Sequence, residues 1–459
     1  MAKSLFAALS GHGGKVVPGV SRARPVTGDV DLPSQVDVVV IGGGYVGVCA
    51  ALSLVSRGVR VALCEKGVIA GEASGRSLGW IDSQFLDPAK MELIGRSKEL
   101  WAGMNAAVDA ETGYRRCGVV SLLPDDGARA FAEDWLDKVR GRRGVDARIV
   151  SAAEAAALTP GGTASFVGGL YQPSDACAEP VLAAPAIAEG ARRKGAAILQ
   201  NCAVRGVETS GGAISGVVTE RGRIGCQAVV LAGGYWSSLF ARSLGIDLPQ
   251  FQANASMMSI RPTGDDLPET SAWGNGYVWR RQLDGSYTIG AINGVSPVTP
   301  DSVRHLFRLL PAIRAMWNEV DPVFNLNTFW NDLMRPTRWR MDEVTPFERN
   351  RILMPETRQG YLDQARRRLE NDFPGFSGAQ ALESWAGVLV TTLDNMPVLS
   401  AVPSLPGLFL GTGFYYGLTM GPAAGEALAD LVMGQTPQFD LHDYRFQRFS
   451  DGSKLVFRT

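Results

Sequence analysis

Three glycines spaced Gly42-x-Gly44-x-x-Gly47, with Glu65 standing 23 residues after Gly42, are the residues of this sequence best suited to hold a reactive partner. Such spacing serves a phosphate-bearing dinucleotide. Gly42 permits a tight turn, Gly44 lets a pyrophosphate approach the start of a helix, and Gly47 lets helix and strand pack closely. Glu65, followed by Lys66, is positioned to accept from ribose hydroxyls. The fingerprint leaves the choice between a nicotinamide and a flavin dinucleotide open.

Other chemistries lack their residues. The three histidines, His12, His305 and His442, are too scattered for a metal site, and no HExxH or Cys-x-x-Cys pattern occurs. Six cysteines without pairing spacing or a secretory leader read as reduced, buried thiols in a cytoplasmic protein. With 45 basic against 46 acidic residues, and no long basic run, the chain lacks the electrostatic footprint of a nucleic-acid binder. Two uncharged stretches, 38–55 and 396–425, are broken by glycines and prolines, so neither is expected to span a membrane.

The elements that must position the fingerprint can be read around it. Residues 36–41 form a β-branched, nearly continuous apolar run, as a strand covered on both faces must be. A helix over 45–57 and a strand over 59–65 complete a βαβ unit. A second α/β unit is expected over 180–234, and a third portion of strands, loops and helix over 383–433. Between them 88–160 is helix-rich, whereas 250–380 mixes short alternating strands with a helix near 301–319. The 459 residues therefore predict an α/β fold of two domains interleaved in sequence. Their expected division is an N-terminal arm (1–35), a nucleotide domain (36–87, 165–248 and 381–459) and a substrate domain (88–164 and 249–380).

The loop after the second strand reads Gly71-Glu72-Ala73-Ser74-Gly75-Arg76-Ser77-Leu78-Gly79-Trp80, and here the sequence resembles the FAD-dependent D-amino acid oxidase superfamily. That superfamily includes glycine and sarcosine oxidases, D-amino acid dehydrogenases and gamma-glutamylputrescine oxidoreductase. Val229 to Ser237, Trp385-Ala386-Gly387 with Thr392-x-Asp394-x-x-Pro397, and Gly411 to Pro422 extend the resemblance over most of the chain. It implies a Rossmann-like FAD domain of the glutathione-reductase type joined to an α+β substrate domain on an antiparallel sheet. It implies FAD contacts from Ser74, Gly75, Arg76 and Ser77, from Val204 at adenine, from Gly233 and Trp236, and from Gly413, Gly417, Leu418 and Thr419. Ser77-Leu78-Gly79 departs from the Asn-Gly-Gly of the family. A helix starting near Gly417 would aim its N-terminal partial charge at the flavin edge that becomes negative on reduction.

The implied reaction is oxidation of a carbon–nitrogen bond in an amine or amino acid, giving an imine that water hydrolyses. Oxidation of a 2-hydroxy acid or polyol, and a flavin-binding subunit without turnover, are the alternatives. Non-covalent FAD is expected, because no cysteine follows Cys226 and no histidine stands by the early flavin loop. The arginines and the lysine with which glycine and sarcosine oxidase types meet a substrate carboxylate are replaced by Val388-Leu389, Tyr415 and Thr419. This favours an amine substrate, or a carboxylate held by Arg261, Arg280 or Arg335. Tyr415, Tyr416, Trp80 and Trp330 are the candidate aromatic pocket. Neutral Thr288 stands where sarcosine oxidases carry an oxygen-activating lysine, so a quinone or artificial acceptor is expected to outperform oxygen. A homo-oligomer and a peripheral membrane contact are both compatible with these readings.

Overall fold

A computed structural model describes residues 22–264, 267–316 and 320–458. The first 21 residues of the expected arm lie outside the described residues. Strand β1 (Val38–Ile41), helix α1 (Tyr45–Ser56) and strand β2 (Val61–Cys64) form the βαβ unit, with β1 and β2 parallel and Val40 beside Leu63. β1 is central in a six-stranded sheet ordered 398–401, 408–412, 228–231, β1, β2, 197–199. All neighbours are parallel except the hairpin of Val398–Ala401 with Leu408–Thr412. Because both faces are covered, its strands are almost wholly apolar. Helix α1 and the helices Pro180–Arg193 and Gly417–Val432 pack on one face, and a three-stranded meander over 204–225 packs on the other.

The second unit is a ten-stranded, mainly antiparallel sheet. Its spine is the pair Gln250–Arg261 and Gln380–Thr392, antiparallel with Asn254 opposite Val388. Helix Gln359–Asp372 covers one face, burying Leu362, Ala365 and Leu369 against Trp279, Tyr287 and Ile289. Strand Gly168–Gln172 pairs with Val119–Leu123 in this same sheet. The expected boundaries at 165 and 381 would place Gly168–Gln172 and all but the first residue of Gln380–Thr392 apart from the strands they pair with, because β pairing between segments far apart in sequence leaves no local signal. We therefore propose that the two interleaved units meet near residues 173 and 393.

Helices Leu306–Ala315 and Leu326–Leu333 extend from the sheet edge formed by Gly294–Pro297 and Val320–Val323. Both carry exposed apolar stripes: Leu306, Phe307, Leu310 and Ile313 on one, Leu326, Trp330 and Leu333 on the other.

Candidate cofactor cavity

The turn after β1 closes because Gly42 adopts φ +109°, and a Cβ there would stand 2.5 Å from the Ala232 carbonyl oxygen. Gly47 lies against the same turn, since its Cβ would reach 2.0 Å from the Gly42 carbonyl oxygen. Gly44 differs. A Cβ on it would meet only the Ser74 hydroxyl, at 3.0 Å, and would otherwise point into a cavity enclosing about 1360 Å³ including its mouth. Gly44 is the N-cap of α1 and offers no side chain to the first-turn N–H groups, although Ser74 Oγ accepts from Tyr45 N at 3.1 Å. A helix start of this kind is ready to receive an anion.

The cavity runs from this turn along the parallel sheet to the spine of the antiparallel one. Its wall includes Gly42, Gly44, Glu65, Lys66, Ser74, Arg76, Ser77, Val204, Gly233, Trp236, Gly413, Gly417 and Leu418, which were named from sequence. Gly47, Gly75 and Thr419 back that wall. A Cβ on Gly75 would sit 2.3 Å from the Ala70 carbonyl oxygen, and Thr419 Oγ1 accepts from Asp82 N at 3.3 Å. The buried Asp82 carboxyl is pushed up to about 7, by burial first and by the charge of Asp175 second.

Glu65 is held before any ligand arrives. Its carboxylate accepts from Gly43 N and Gly67 N, each at 2.7 Å, and burial raises its pKa against the pull of Lys66 and these two donors. Lys66 Nζ pairs with Glu72 at 2.8 Å and donates to the Asn350 and Arg351 carbonyls. Glu72 also accepts from Trp236 Nε1 at 3.1 Å and Leu353 N at 2.8 Å, so it joins three segments at the cavity wall. Sequence reasoning passed over Glu72, whose only signal was an acid in a loop of small residues. Arg76 is buried, donates to the Leu353 carbonyl at 2.6 Å and lies against the Met354 thioether. The Tyr45 and Ser77 hydroxyls, both in cavity-lining residues, are buried and face each other.

The aromatic candidates separate. Tyr415 lines the cavity, and Tyr416 packs on it with ring centroids 5.1 Å apart. Trp80 is buried outside the wall, edge-on to Trp273 at 5.2 Å. Trp330 has no place in the wall: it is 57% exposed on Leu326–Leu333, because the apolar stripe of that helix faces outward. Tyr235 and Phe414, unnamed before, line the cavity instead.

All three candidate arginines have carboxylate partners, and they differ in where they lie. Arg280 is buried in a bidentate pair with Glu179, at 2.8 and 3.0 Å. Arg261 is half-exposed and pairs with Asp284 at 3.2 Å. Arg335 pairs with Asp332, lies 3.5 Å from the Tyr235 hydroxyl, and lines a smaller cavity that shares Tyr235 and Val390 with the large one. No group of histidine, cysteine and acid side chains able to hold a metal ion occurs among the described residues.

Comparison with known proteins agrees with this architecture. The L-amino acid deaminase of Proteus myxofaciens, solved with anthranilate, superposes with a TM-score of 0.91 at 34% identity over 94% of this chain and 97% of its own. The sarcosine oxidase beta subunit of Rhizobium meliloti is 26% identical over 91% of this chain and 89% of its own length. Glycine oxidase of Pseudomonas aeruginosa is 26% identical over 89% and 97%. Residues 37–431 match the model of the DAO family, described as FAD dependent oxidoreductase, and the chain belongs to that family.

Proposed function

We propose that the large cavity holds FAD non-covalently and that the enzyme oxidises the carbon–nitrogen bond of an α-amino acid. When bound, the flavin supplies a two-electron acceptor for the hydride on the carbon bearing nitrogen; the imine that results is hydrolysed by water. The fit to FAD rests on the Gly44 cradle opening at a helix start that has no side-chain cap of its own. Gly42, Gly44 and the first turn of α1 would hold the pyrophosphate, Glu65 the ribose, and Val204 the adenine. Gly417 and Leu418 would turn the start of a 16-residue helix toward the ring.

The observation that carries the substrate class is the 34% identity to a deaminase of L-amino acids over nearly the whole chain. It turns the expectation away from simple amines. Arg335, beside Tyr235 where the two cavities adjoin, is the arginine best placed to meet a carboxylate. Anaerobic bleaching of the flavin band across a panel of amines and amino acids tests this. α-Amino acids are expected to bleach it, and Arg335→Ala to raise their KM with little change in kcat. Bleaching by amines alone would restore the amine reading.

The electron acceptor is proposed to be a quinone-like molecule rather than oxygen. Thr288 is buried, and its Oγ1 accepts from Gln282 Nε2 at 3.0 Å. The cation opposite it on the neighbouring strand, Arg280, is neutralised by Glu179. Thr288 and Arg280 lie outside the cavity wall; of the described cations in that wall, Lys66 pairs with Glu72 and Arg76 donates to the Leu353 carbonyl. With neither free to stabilise superoxide, the oxygen step is expected to run at least about tenfold slower than reoxidation by a phenazine or quinone, a barrier difference of about 1.4 kcal/mol. Stopped-flow reoxidation with peroxide detection measures the ratio, and fast, stoichiometric peroxide formation would refute it. Among the described residues no helix is long and apolar enough to cross a membrane. The exposed stripes around Phe307 and Trp330 instead support a peripheral contact with a bilayer, where a quinone would be met.

A further inference from the structure

The segment preceding the first strand is laced to both units of the fold. Arg24 N donates to the Val181 carbonyl at 2.8 Å, in the first turn of helix Pro180–Arg193. Gln200 Nε2 donates to the Val26 carbonyl at 2.9 Å, and Asp29 N to that of Ile198 at 2.8 Å. These contacts belong to the nucleotide unit. Two residues earlier the chain reaches the other one: the Arg22 guanidinium lies 3.4 Å from the centroid of the Trp385 ring, and its Nε donates to Glu383 at 2.9 Å. Both partners sit on the spine strand Gln380–Thr392, whose residues 388–390 line the large cavity.

Trp385 passes this contact on to the cavity wall. Its Nε1 donates to the Arg76 carbonyl at 2.9 Å, a buried hydrogen bond. Two residues along the same strand, Gly387 runs directly under Arg76, where an added Cβ would stand 3.3 Å from the Arg76 Cβ. Ala23 closes the other side of the loop, with its Cβ 3.5 Å from where a Gly75 Cβ would lie. Arg22, Trp385 and Arg76 thus form one stack, running from the arm through the sheet to the loop that bounds the cavity. An arginine held flat on an indole, with its charge answered by a carboxylate, is a rigid support that a flexible lysine does not reproduce.

We propose that Arg22 is a positioning residue for the flavin half of the cofactor, acting through Trp385 on the Ser74–Ser77 loop. This rests on the reading of the cavity as the FAD site. These contacts run through the spine strand, whose residues 388–390 line the cavity, and involve neither Glu65 nor Val204, so they support the ring end of the dinucleotide and leave the adenine end alone.

Titration of deflavinated full-length protein with FAD, and separately with ADP, distinguishes these halves. Arg22→Ala is expected to raise the Kd for FAD about tenfold, within the range of a desolvated cation–π contact. The Kd for ADP is expected to stay at the wild-type value, with the deflavinated protein folded and its melting temperature lowered by the loss of the part-buried Arg22–Glu383 pair. Arg22→Lys keeps the charge facing Glu383 but not the flat face, and is expected to retain most of the defect. Should Arg22→Ala fold poorly, Trp385→Phe serves in its place: it keeps a ring under Arg22, removes the hydrogen bond to Arg76, and is expected to weaken FAD and not ADP. An unchanged Kd for FAD, or equal losses for FAD and ADP, would overturn the proposal while leaving the FAD site standing. A wild-type protein that binds no FAD would overturn the cofactor reading and this proposal with it.

Discussion

Gly44→Val is expected to give a folded but colourless protein, with FAD affinity reduced by at least about a hundredfold, or some 2.7 kcal/mol. The reason lies in what surrounds that glycine. Its Cβ direction meets only the Ser74 hydroxyl before entering the cavity, so a valine can be built with little disturbance of the backbone. Its two methyl groups would then fill the volume the pyrophosphate needs, at a helix start without a side-chain cap of its own. Gly47→Val is the control that separates cofactor loss from misfolding. Its Cβ would collide with the Gly42 carbonyl oxygen at 2.0 Å, so α1 could no longer lie on β1 and the apoprotein itself should lose stability. Flavin absorbance and near-native circular dichroism are the paired measurements. A yellow Gly44→Val protein would show that the dinucleotide does not cross this turn.

Glu179→Ala carries the second large effect, and it falls on stability. Glu179 precedes helix Pro180–Arg193 and accepts two hydrogen bonds from Arg280, one from Leu283 N at 2.9 Å and a longer contact from Arg115 at 3.4 Å. Both partners of the Arg280 pair are almost fully buried, at 2% and 4%. Removing the carboxylate would strand a guanidinium that also donates to the Leu78 carbonyl at 2.7 Å, beside the flavin loop. Breaking such a pair from one side costs about 3–5 kcal/mol, visible as a lower denaturant midpoint. The pair also has a pH signature. Burial pushes the Glu179 carboxyl up, but Arg280 outweighs it and holds the group below its ordinary value of 4.5. A depressed folded-state pKa contributes stability that is fully present above that ordinary value and is lost as pH falls through the folded one. The wild-type protein should therefore lose this contribution below about pH 4.5, and Glu179→Ala should show a flatter acid limb. Equal stability of the two proteins at pH 7 would refute the assignment.

Much of the cavity wall was legible in the sequence because its signals are local. A turn that needs φ +109° at Gly42, a backbone contact at Gly47 and an acid at the end of the next strand all fall within 24 residues, and each demands a particular residue type. The helix beginning at Gly417 was legible for the same reason: it opens directly after a glycine-rich turn. Val204, Gly233 and Gly413, for which the family resemblance implies FAD contacts, line the same cavity.

What chain order could not carry was decided between distant segments. Arg280 looked free to bind a carboxylate until Glu179, 101 residues away, was found facing it. Glu72 became a hub only when Lys66, Trp236 and Leu353 met around it, and Trp330 moved from pocket to surface because its helix extends from a sheet edge. The strand Gln380–Thr392 was expected in the nucleotide unit, yet it pairs along its length with Gln250–Arg261 in the antiparallel sheet. Backbone conformation and close turns are set by a residue and its immediate neighbours, and a sequence states them directly. Whether a charge is free, which face of a helix is wet and which sheet a strand joins depend on contacts that include partners more than a hundred positions distant, such as Glu179 for Arg280, and only the folded chain brings those partners together.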